Sequence, residues 1–403
     1  MRNARVVVTG LGIVSSIGIG KEEFWSSLIS GKSGISEVSG FDTKAYRTHR
    51  GAEIKNFDPS RFMSDYAKKG RASQFLIAAF SMALKDSALE LDSIAKDKIG
   101  VIAGTTMAEA QVIEEINKTW FYEGIDKIDP AKIMMSAANN IPDSACFKYG
   151  FRGMSMIIPS ACSAGNYAIG FGYDMLKQSR AQIVFACTSD AFSRIGFAGF
   201  NRLLSMAPDT CRPFDKNRKG MIIGEGSAVL VLEREDDAKR RGAPIYAEVA
   251  GYGLSCDAFS MTAPSAEGIE RVINTALSNS GVDADDIDYI SAHGTGTASN
   301  DRVESQAIKR VFGKRYSRIP VSSIKSMLGH TMGSSSSMEA VSCCLAIKHS
   351  VIPPTMNYET PDPECDLDCV ANMARKKDVN IAMNNSYAFG GNNCSVIFKC
   401  INR

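Results

Sequence analysis

The sequence predicts an α/β protein built as two similar halves, and three observations carry that prediction. Short runs rich in β-branched residues alternate with longer segments of helical period. At 403 residues, the chain exceeds the size at which a single core stops growing. The pattern of the first half also returns in the second. Ile245 to Gly253 echoes Val6 to Gly12, and Asp288 to His293 resembles Lys98 to Gly104. Ile319 to Ser323, followed by a helix over Ser337 to Lys348, resembles the strand and helix around Cys162. A junction near residue 240 gives an N-terminal half, 1–240, and a C-terminal half, 241–403, and a site between them would draw on both.

The elements follow in order. Arg5 to Gly10 is a strand that runs into Gly10-Leu11-Gly12-Ile13-Val14-Ser15. This misses the dinucleotide fingerprint, because Ser15 stands at the third glycine and no acidic residue follows at the expected distance. A helix is expected over Lys21 to Ser30, then an irregular stretch with Pro59 and the cluster Lys68, Lys69 and Arg71. Such a cluster is either a solvated face or a landing place for an acidic partner. Residues 73–91 read as a long amphipathic helix, Lys98 to Gly104 as a buried strand, and 109–150 as broken helix able to cap a cavity or an interface. Met154 to Ile158 and Ile183 to Cys187 read as buried strands, and Met221 to Leu232 as a Gly-punctuated strand pair.

The stretch Met156 to Asn166 draws the chemistry. Its apolar run breaks on Ser160, Ala161, Cys162, Ser163, Ala164 and Gly165, and Tyr167, Ile169, Tyr173, Met175 and Leu176 then recur at helical spacing. A strand turning tightly into a helix sets Cys162 near the helix N-terminus, where unpaired N–H groups and the macrodipole favour a thiolate nucleophile. Taken alone, Cys162 reads more readily as a small buried core residue, the usual place of a free cysteine. The second half adds His293-Gly294-Thr295-Gly296-Thr297 after one buried strand, and Lys325 with His330 after another, before a helix that carries Glu339. Of the four histidines, His49 and His349 fit ordinary structural positions, whereas His293 and His330 end strands beside glycines and point to function.

Composition excludes several classes. A formal charge of +2 implies no nucleic-acid partner. No secretory h-region and no membrane-spanning run is present, and eleven cysteines in that context read as reduced thiols of a cytoplasmic protein. Cys343-Cys344 falls on a helical pattern, and Cys365 with Cys369 lacks both zinc-finger spacing and a second pair, so no metal site is expected.

The ordered set Cys162, His293, Lys325, His330 and Glu339, closed by Asn385-Ser386-Tyr387-Ala388-Phe389-Gly390-Gly391-Asn392-Asn393, resembles the β-ketoacyl-acyl-carrier-protein synthases of the KAS II type, in the thiolase superfamily. The resemblance covers essentially the whole chain. It implies a thiolase-like fold, two pseudo-duplicated halves in a five-layered αβαβα arrangement, normally dimeric. It also implies decarboxylative Claisen condensation between an acyl group held on Cys162 and malonyl-acyl carrier protein. By the same resemblance, the amides of Cys162 and Phe389 form the oxyanion hole, and His293 and His330 stabilise the enolate as neutral imidazoles. Lys325 pairs with Glu339, and Thr295 and Thr297 bind the phosphopantetheine arm. Phe389 gates an acyl pocket reached near Met107, Ala108 and Phe200. No cofactor is expected beyond the phosphopantetheine of the carrier protein.

The second histidine separates the chain from the initiating KAS III enzymes, which have asparagine there. Biosynthetic thiolases use a second catalytic cysteine in the C-terminal Gly-rich loop, where this chain has Phe389-Gly390-Gly391. Two departures from the KAS II pattern stand out: Gly333-Ser334-Ser335-Ser336-Ser337 replaces a Gly/Ala-rich helix start, and Asn392 stands where threonine is common. The motifs around His293 and Lys325 look closer to ketosynthase subunits of type II polyketide and polyene systems. The family's acidic carrier protein gives Lys68, Lys69 and Arg71 a docking role, which Lys127 and Arg202 would extend. A homodimer and a heterodimer with a related subunit are both compatible. The alternative reading is a non-catalytic chain-length-factor-like partner, which would normally lack the cysteine.

Overall fold

The structure is a computed structural model and describes residues 4–401. Its large sheet has twelve strands among the described residues, of which ten, five from each half, form the two five-stranded sheets of the repeat. The first half supplies β1 (Val6–Ser15), β2 (Ile99–Gly104), β3 (Ser155–Ile158), β4 (Ile183–Asp190) and β5 (Gly226–Arg234). The second supplies β6 (Ala247–Cys256), β7 (Tyr289–Ser291), β8 (Pro320–Ser322), β9 (Ile381–Tyr387) and β10 (Asn392–Lys399). Their spatial order is β1-β5-β4-β2-β3 in one half and β6-β10-β9-β7-β8 in the other. Each strand of the second half thus occupies the place of its counterpart in the first. The pairing senses agree too: the first two contacts of each order are antiparallel and the last two parallel. The echo in the sequence is therefore a repeat of topology. A short antiparallel pairing of Val6–Val8 with Ala247–Val249 joins the halves.

Period-two burial explains how the sheets become the inner layers. In β4, Val184 and Ala186 enter one core while Ile183, Phe185 and Cys187 enter another. In β10, Val396 and Phe398 face the shared core and Ile397 a third. Helix α1 (Lys21–Ile29) follows β1. The outer layers are α2 (Arg71–Asp86) on the first half, and α6 (Ala266–Ser280) with α7 (Ala298–Phe312) on the second. Helix α3 (Ala110–Glu123) and the short helices Pro130–Met135 and Asn140–Tyr149 fill the region expected as broken helix. Between the sheets lie α4 (Ala164–Lys177) and α8 (Ser335–His349), with α5 (Arg194–Arg202) beside the site. Helix α8 is buried from Ser335 to Ile347 on every side, as a central layer requires. It approaches α4 so closely that a Cβ on Gly165 would lie 2.6 Å from the Ser337 nitrogen.

Several sequence expectations need correction. Met221 to Leu232 is not a strand pair: β5 begins only at Gly226, whose φ of +152° breaks the run, and Met221 and Ile223 make isolated bridges to Met206 and His330. Strand β3 is a sheet edge, so Ser155 is exposed and Met156 and Ile157 are half-buried where a buried strand was expected. Gly10 and Gly12 serve packing, because a Cβ on either would strike the Ala83 or Ala79 carbonyl of α2. Among the described residues, no helix is long and apolar enough to cross a membrane.

Candidate active site

Cys162 sits in the tight turn Ala161–Ser163 between β3 and α4. Ala161 holds φ at +49°, a left-handed conformation that costs a non-glycine residue about 1 kcal/mol. Ala161→Gly is therefore expected to raise unfolding stability by about 0.5–1 kcal/mol in a denaturant titration. An unchanged or lower midpoint would show that the turn stores no strain.

The amide N–H groups of Phe389 and of Cys162 itself point at the sulfur. Burial nevertheless pushes the Cys162 thiol up to about 11, with Lys325 and the two amides pulling it down. This corrects the expected thiolate, since desolvation outweighs the helix N-terminus. Below that value the thiolate fraction grows tenfold per pH unit, so alkylation of Cys162 by iodoacetamide should rise about tenfold per unit from pH 7 to 10. A plateau near pH 7, followed by mass spectrometry at this residue, would mean that the thiolate is preformed.

His293 ends β7, where Glu304 on α7 accepts the His293 and Gly294 N–H groups, both at 2.8 Å. Its carbonyl accepts from Lys325 Nζ at 2.7 Å, and Nζ lies 3.5 Å from its Nδ1. Lys325 is also bonded to Glu339 Oε1, and both side chains are buried. His330 Nδ1 accepts from the Met332 N–H at 3.1 Å. An acceptor nitrogen carries no proton, so the neutral His330 ring presents Nε2–H, and the ammonium beside His293 Nδ1 selects the same tautomer there. Burial, and then Lys325, hold both imidazoles well below their ordinary pKa, with His330 adding to the effect on His293. The ring centroids are 5.5 Å apart, and one donor atom from each of Cys162, His293 and His330 falls within 4.8 Å of the others.

These groups share a cavity of about 250 Å³ whose wall includes Cys162, His293, His330, Thr295, Thr297 and Phe389. The Thr295 and Thr297 hydroxyls are 2.9 Å apart, so the two side chains form a single polar spot. At the mouth, the Phe389 ring lies 5.9 Å from that of Phe200 on α5.

A repeated α/β fold that holds a thiol and two neutral imidazoles beneath a Gly-rich loop defines a thiolase-fold condensing enzyme. The comparisons make the family specific. The β-ketoacyl synthase N-terminal domain model matches residues 3–238 and the C-terminal domain model residues 246–359. The chain belongs to the β-ketoacyl synthase family. It is 37% identical over 410 residues to 3-oxoacyl-acyl-carrier-protein synthase 2 of Synechocystis sp., covering 99% of each chain. It is also 37% identical to nodulation protein E of Rhizobium meliloti, covering 98% of this chain and 99% of the relative. Among solved structures, the ishigamide ketosynthase/chain length factor aligns with a TM-score of 0.96 at 40% identity, covering 99% of this chain and all (100%) of that one. A type II polyketide ketosynthase in complex with its acyl-carrier protein aligns at 0.92 and 33%, with the same coverage.

The structure thus brings together Cys162, His293, His330, Lys325, Glu339, Thr295, Thr297, Phe389 and Phe200. It does not bring Met107 into the cavity wall. That side chain packs on an apolar cluster containing Phe192 and Phe197, against which Phe200 also packs, and its N–H donates to Asp190 Oδ1 at 2.6 Å. Arg71 is also corrected as a docking cation. It grips Glu225 through Nε at 3.0 Å and Nη2 at 2.7 Å and donates to the Ile54 carbonyl, so its charge is spent internally. Lys69 pairs with Asp65 at 3.2 Å, and Lys68 is exposed. Both line, together with Arg71, Lys132 and Phe147, a groove separate from the cavity. His49 and His349 are exposed, the latter stacked on Trp25. Sequence reasoning missed Glu304 and Asp190. Glu304 had a signal, since Asp301 and Glu304 fall three residues apart on one face of α7 and both are buried. Asp190, which accepts from Thr105, Thr106 and Met107, had none.

Proposed function

We propose that this chain is a β-ketoacyl-acyl-carrier-protein synthase that extends an acyl chain by decarboxylative Claisen condensation, in fatty-acid or type II polyketide and polyene assembly. The observation that carries the reading is the convergence on one cavity of a thiol, two amide N–H groups and two imidazoles protonated at Nε2. In the first half-reaction, Cys162 displaces the carrier thiol from an acyl thioester. The C–S bond to the carrier breaks, one to Cys162 forms, and the thiol proton ends on the departing sulfur. The carbonyl oxygen turns anionic against the amides of Cys162 and Phe389. In the second, malonyl-carrier protein loses carbon dioxide, and its enolate oxygen accepts from His293 and His330. The carbanion then attacks the acyl-Cys162 carbonyl, forming the C–C bond and returning the thiolate, which regains a proton.

Lys325 and Glu339 hold His293 in register, Thr295 and Thr297 receive the polar pantetheine arm, and Phe389 with Phe200 guards the acyl entrance. The reading needs no resident cofactor, and phosphopantetheine arrives on the carrier protein. The two halves divide near residue 240, and the enzyme works in the cytoplasm. Lys68, with Lys69, offers positive charge to the acidic carrier. The exposed side chains of Trp120, Phe121, Tyr122, Ile125, Met134 and Phe147 supply an apolar face for a second subunit, identical or related.

The test is to mix the protein with acyl- and malonyl-carrier protein and follow acyl transfer by intact mass and product by chromatography. The expected result is a mass increase on Cys162 that collapses when the malonyl carrier is added. No acylation with any chain length, alone or with a related subunit, would overturn the reading and leave a pocket-shaping role.

A further inference from the structure

Two hydroxyls of the serine run that replaces a Gly/Ala-rich helix start meet His330 Nδ1 and the Cys162 backbone carbonyl. Ser335 Oγ is 3.0 Å from His330 Nδ1 and 3.1 Å from Thr331 Oγ1. The Met332 N–H at the same Nδ1 can only donate, so Nδ1 is unprotonated and Ser335 must donate as well. The Thr331 hydroxyl, whose other acceptor is Met338 Sδ at 3.6 Å, can then donate to Ser335. The next residue turns the other way. Ser336 Oγ donates to the Cys162 carbonyl at 3.2 Å and accepts from the Asn166 N–H at 3.2 Å, while Ser386 Oγ donates to the same carbonyl at 2.9 Å. Ser335 and Ser336 are 3% and 0% exposed, so water does not substitute for either hydroxyl.

We propose that consecutive serines at the start of α8 position the two reacting groups separately, Ser335 acting on His330 and Ser336 on Cys162. This rests on the condensing reaction set out above and adds to it two positioning residues that do not touch substrate. When His330 Nε2–H donates to a developing enolate oxygen, electron density moves toward Nδ1. A second donor there therefore binds more strongly in the transition state than in the ground state. Ser335 thus serves decarboxylation. Ser336 fixes the peptide on the carboxyl side of Cys162 to Asn166, the third residue of α4, so it serves acyl transfer.

The experiment separates the half-reactions in Ser335→Ala, Ser336→Ala and a control, Ser334→Ala. The control loses an equally buried hydroxyl that donates to the Gly226 carbonyl at 2.9 Å, away from both reacting groups. Rapid-quench mass spectrometry gives the rate of Cys162 acylation, and carbon dioxide release from malonyl-carrier protein gives the rate of decarboxylation. In Ser335→Ala, decarboxylation should fall about tenfold with acylation unchanged, the size of one buried hydrogen bond to a reacting group. In Ser336→Ala, acylation should fall about threefold to tenfold with decarboxylation unchanged. Equal loss in both half-reactions, or loss matching Ser334→Ala, would reduce the serines to packing and overturn the proposal. Ser335→Cys keeps the side-chain volume with a weaker donor and replaces the alanine variant if that fails to fold. The ¹⁵N resonance of His330 Nδ1 is read on the same proteins. It should move in Ser335→Ala and stay put in Ser334→Ala, and an unmoved resonance overturns the Ser335 assignment whether or not the wild type condenses. Wild-type protein inactive in both half-reactions, with the resonance shift present, would instead refute the condensing function and keep the positioning contact.

Discussion

Cys162→Ala is expected to abolish acyl-enzyme formation and to lower condensation by about 10⁶-fold, the scale seen when a covalent nucleophile is removed. The fold should survive, because the side chain is small and the loss of one buried sulfur costs only about 1 kcal/mol. Decarboxylation of malonyl-carrier protein should persist, because its two Nε2–H donors belong to His293 and His330 and neither depends on the thiol for its tautomer. The variant thus uncouples the half-reactions: carbon dioxide is released with no β-ketoacyl product. Loss of decarboxylation along with condensation, in a protein with wild-type melting behaviour, would mean that the thiol takes part in both steps.

What the sequence made legible has a common physical basis. Cys162 and His293 each stand just after a strand beside small residues, and strand ends of an α/β sheet are where the chain can expose a side chain to a cavity. His330, expected to end a strand, instead follows a helical turn, Lys325–Leu328, that separates it from β8. The matching orders β1-β5-β4-β2-β3 and β6-β10-β9-β7-β8 were legible as a rhythm, because each strand's burial is written into its own residues. Partnerships across the fold were not. Arg71 finds Glu225 across 154 positions, which pairs its charge while it still lines the groove beside Lys68 and Lys69. Met107 lies outside the cavity wall, and its N–H donates to Asp190, 83 residues away. The pKa of Cys162 was misjudged because local helix geometry is visible in sequence and burial between two sheets is not.

Lys325→Met is the second large effect, because Lys325 is held by groups that depend on it. The ammonium meets Glu339, the His293 carbonyl and His293 Nδ1, all out of water. Removing one partner of a buried ion pair typically costs about 3–5 kcal/mol, most of it the stranded charge. Glu339 can escape part of that by taking a proton. Burial already pushes its carboxyl up to about 7 with Lys325 beside it. A carboxyl whose folded pKa is raised favours the native state while protonated. Its contribution is full below the unfolded value of 4.5 and is lost as pH rises to the folded value, here about 7. Without the ammonium the folded value climbs further, so the loss continues above pH 7, where wild type has already levelled off. The stability gap between Lys325→Met and wild type, read from denaturant midpoints, should therefore widen between pH 7 and 9. Adding Glu339→Leu removes the group that titrates and should close most of the gap and flatten its pH dependence. It should not restore decarboxylation, expected to be down about 10²-fold, because His293 Nδ1 still lacks the donor that fixes its tautomer. A double variant that regains both stability and rate would place the function of the pair in the fold alone. One that regains stability only separates the buried charge, which the fold can do without, from the ammonium that keeps an Nε2 proton facing the cavity.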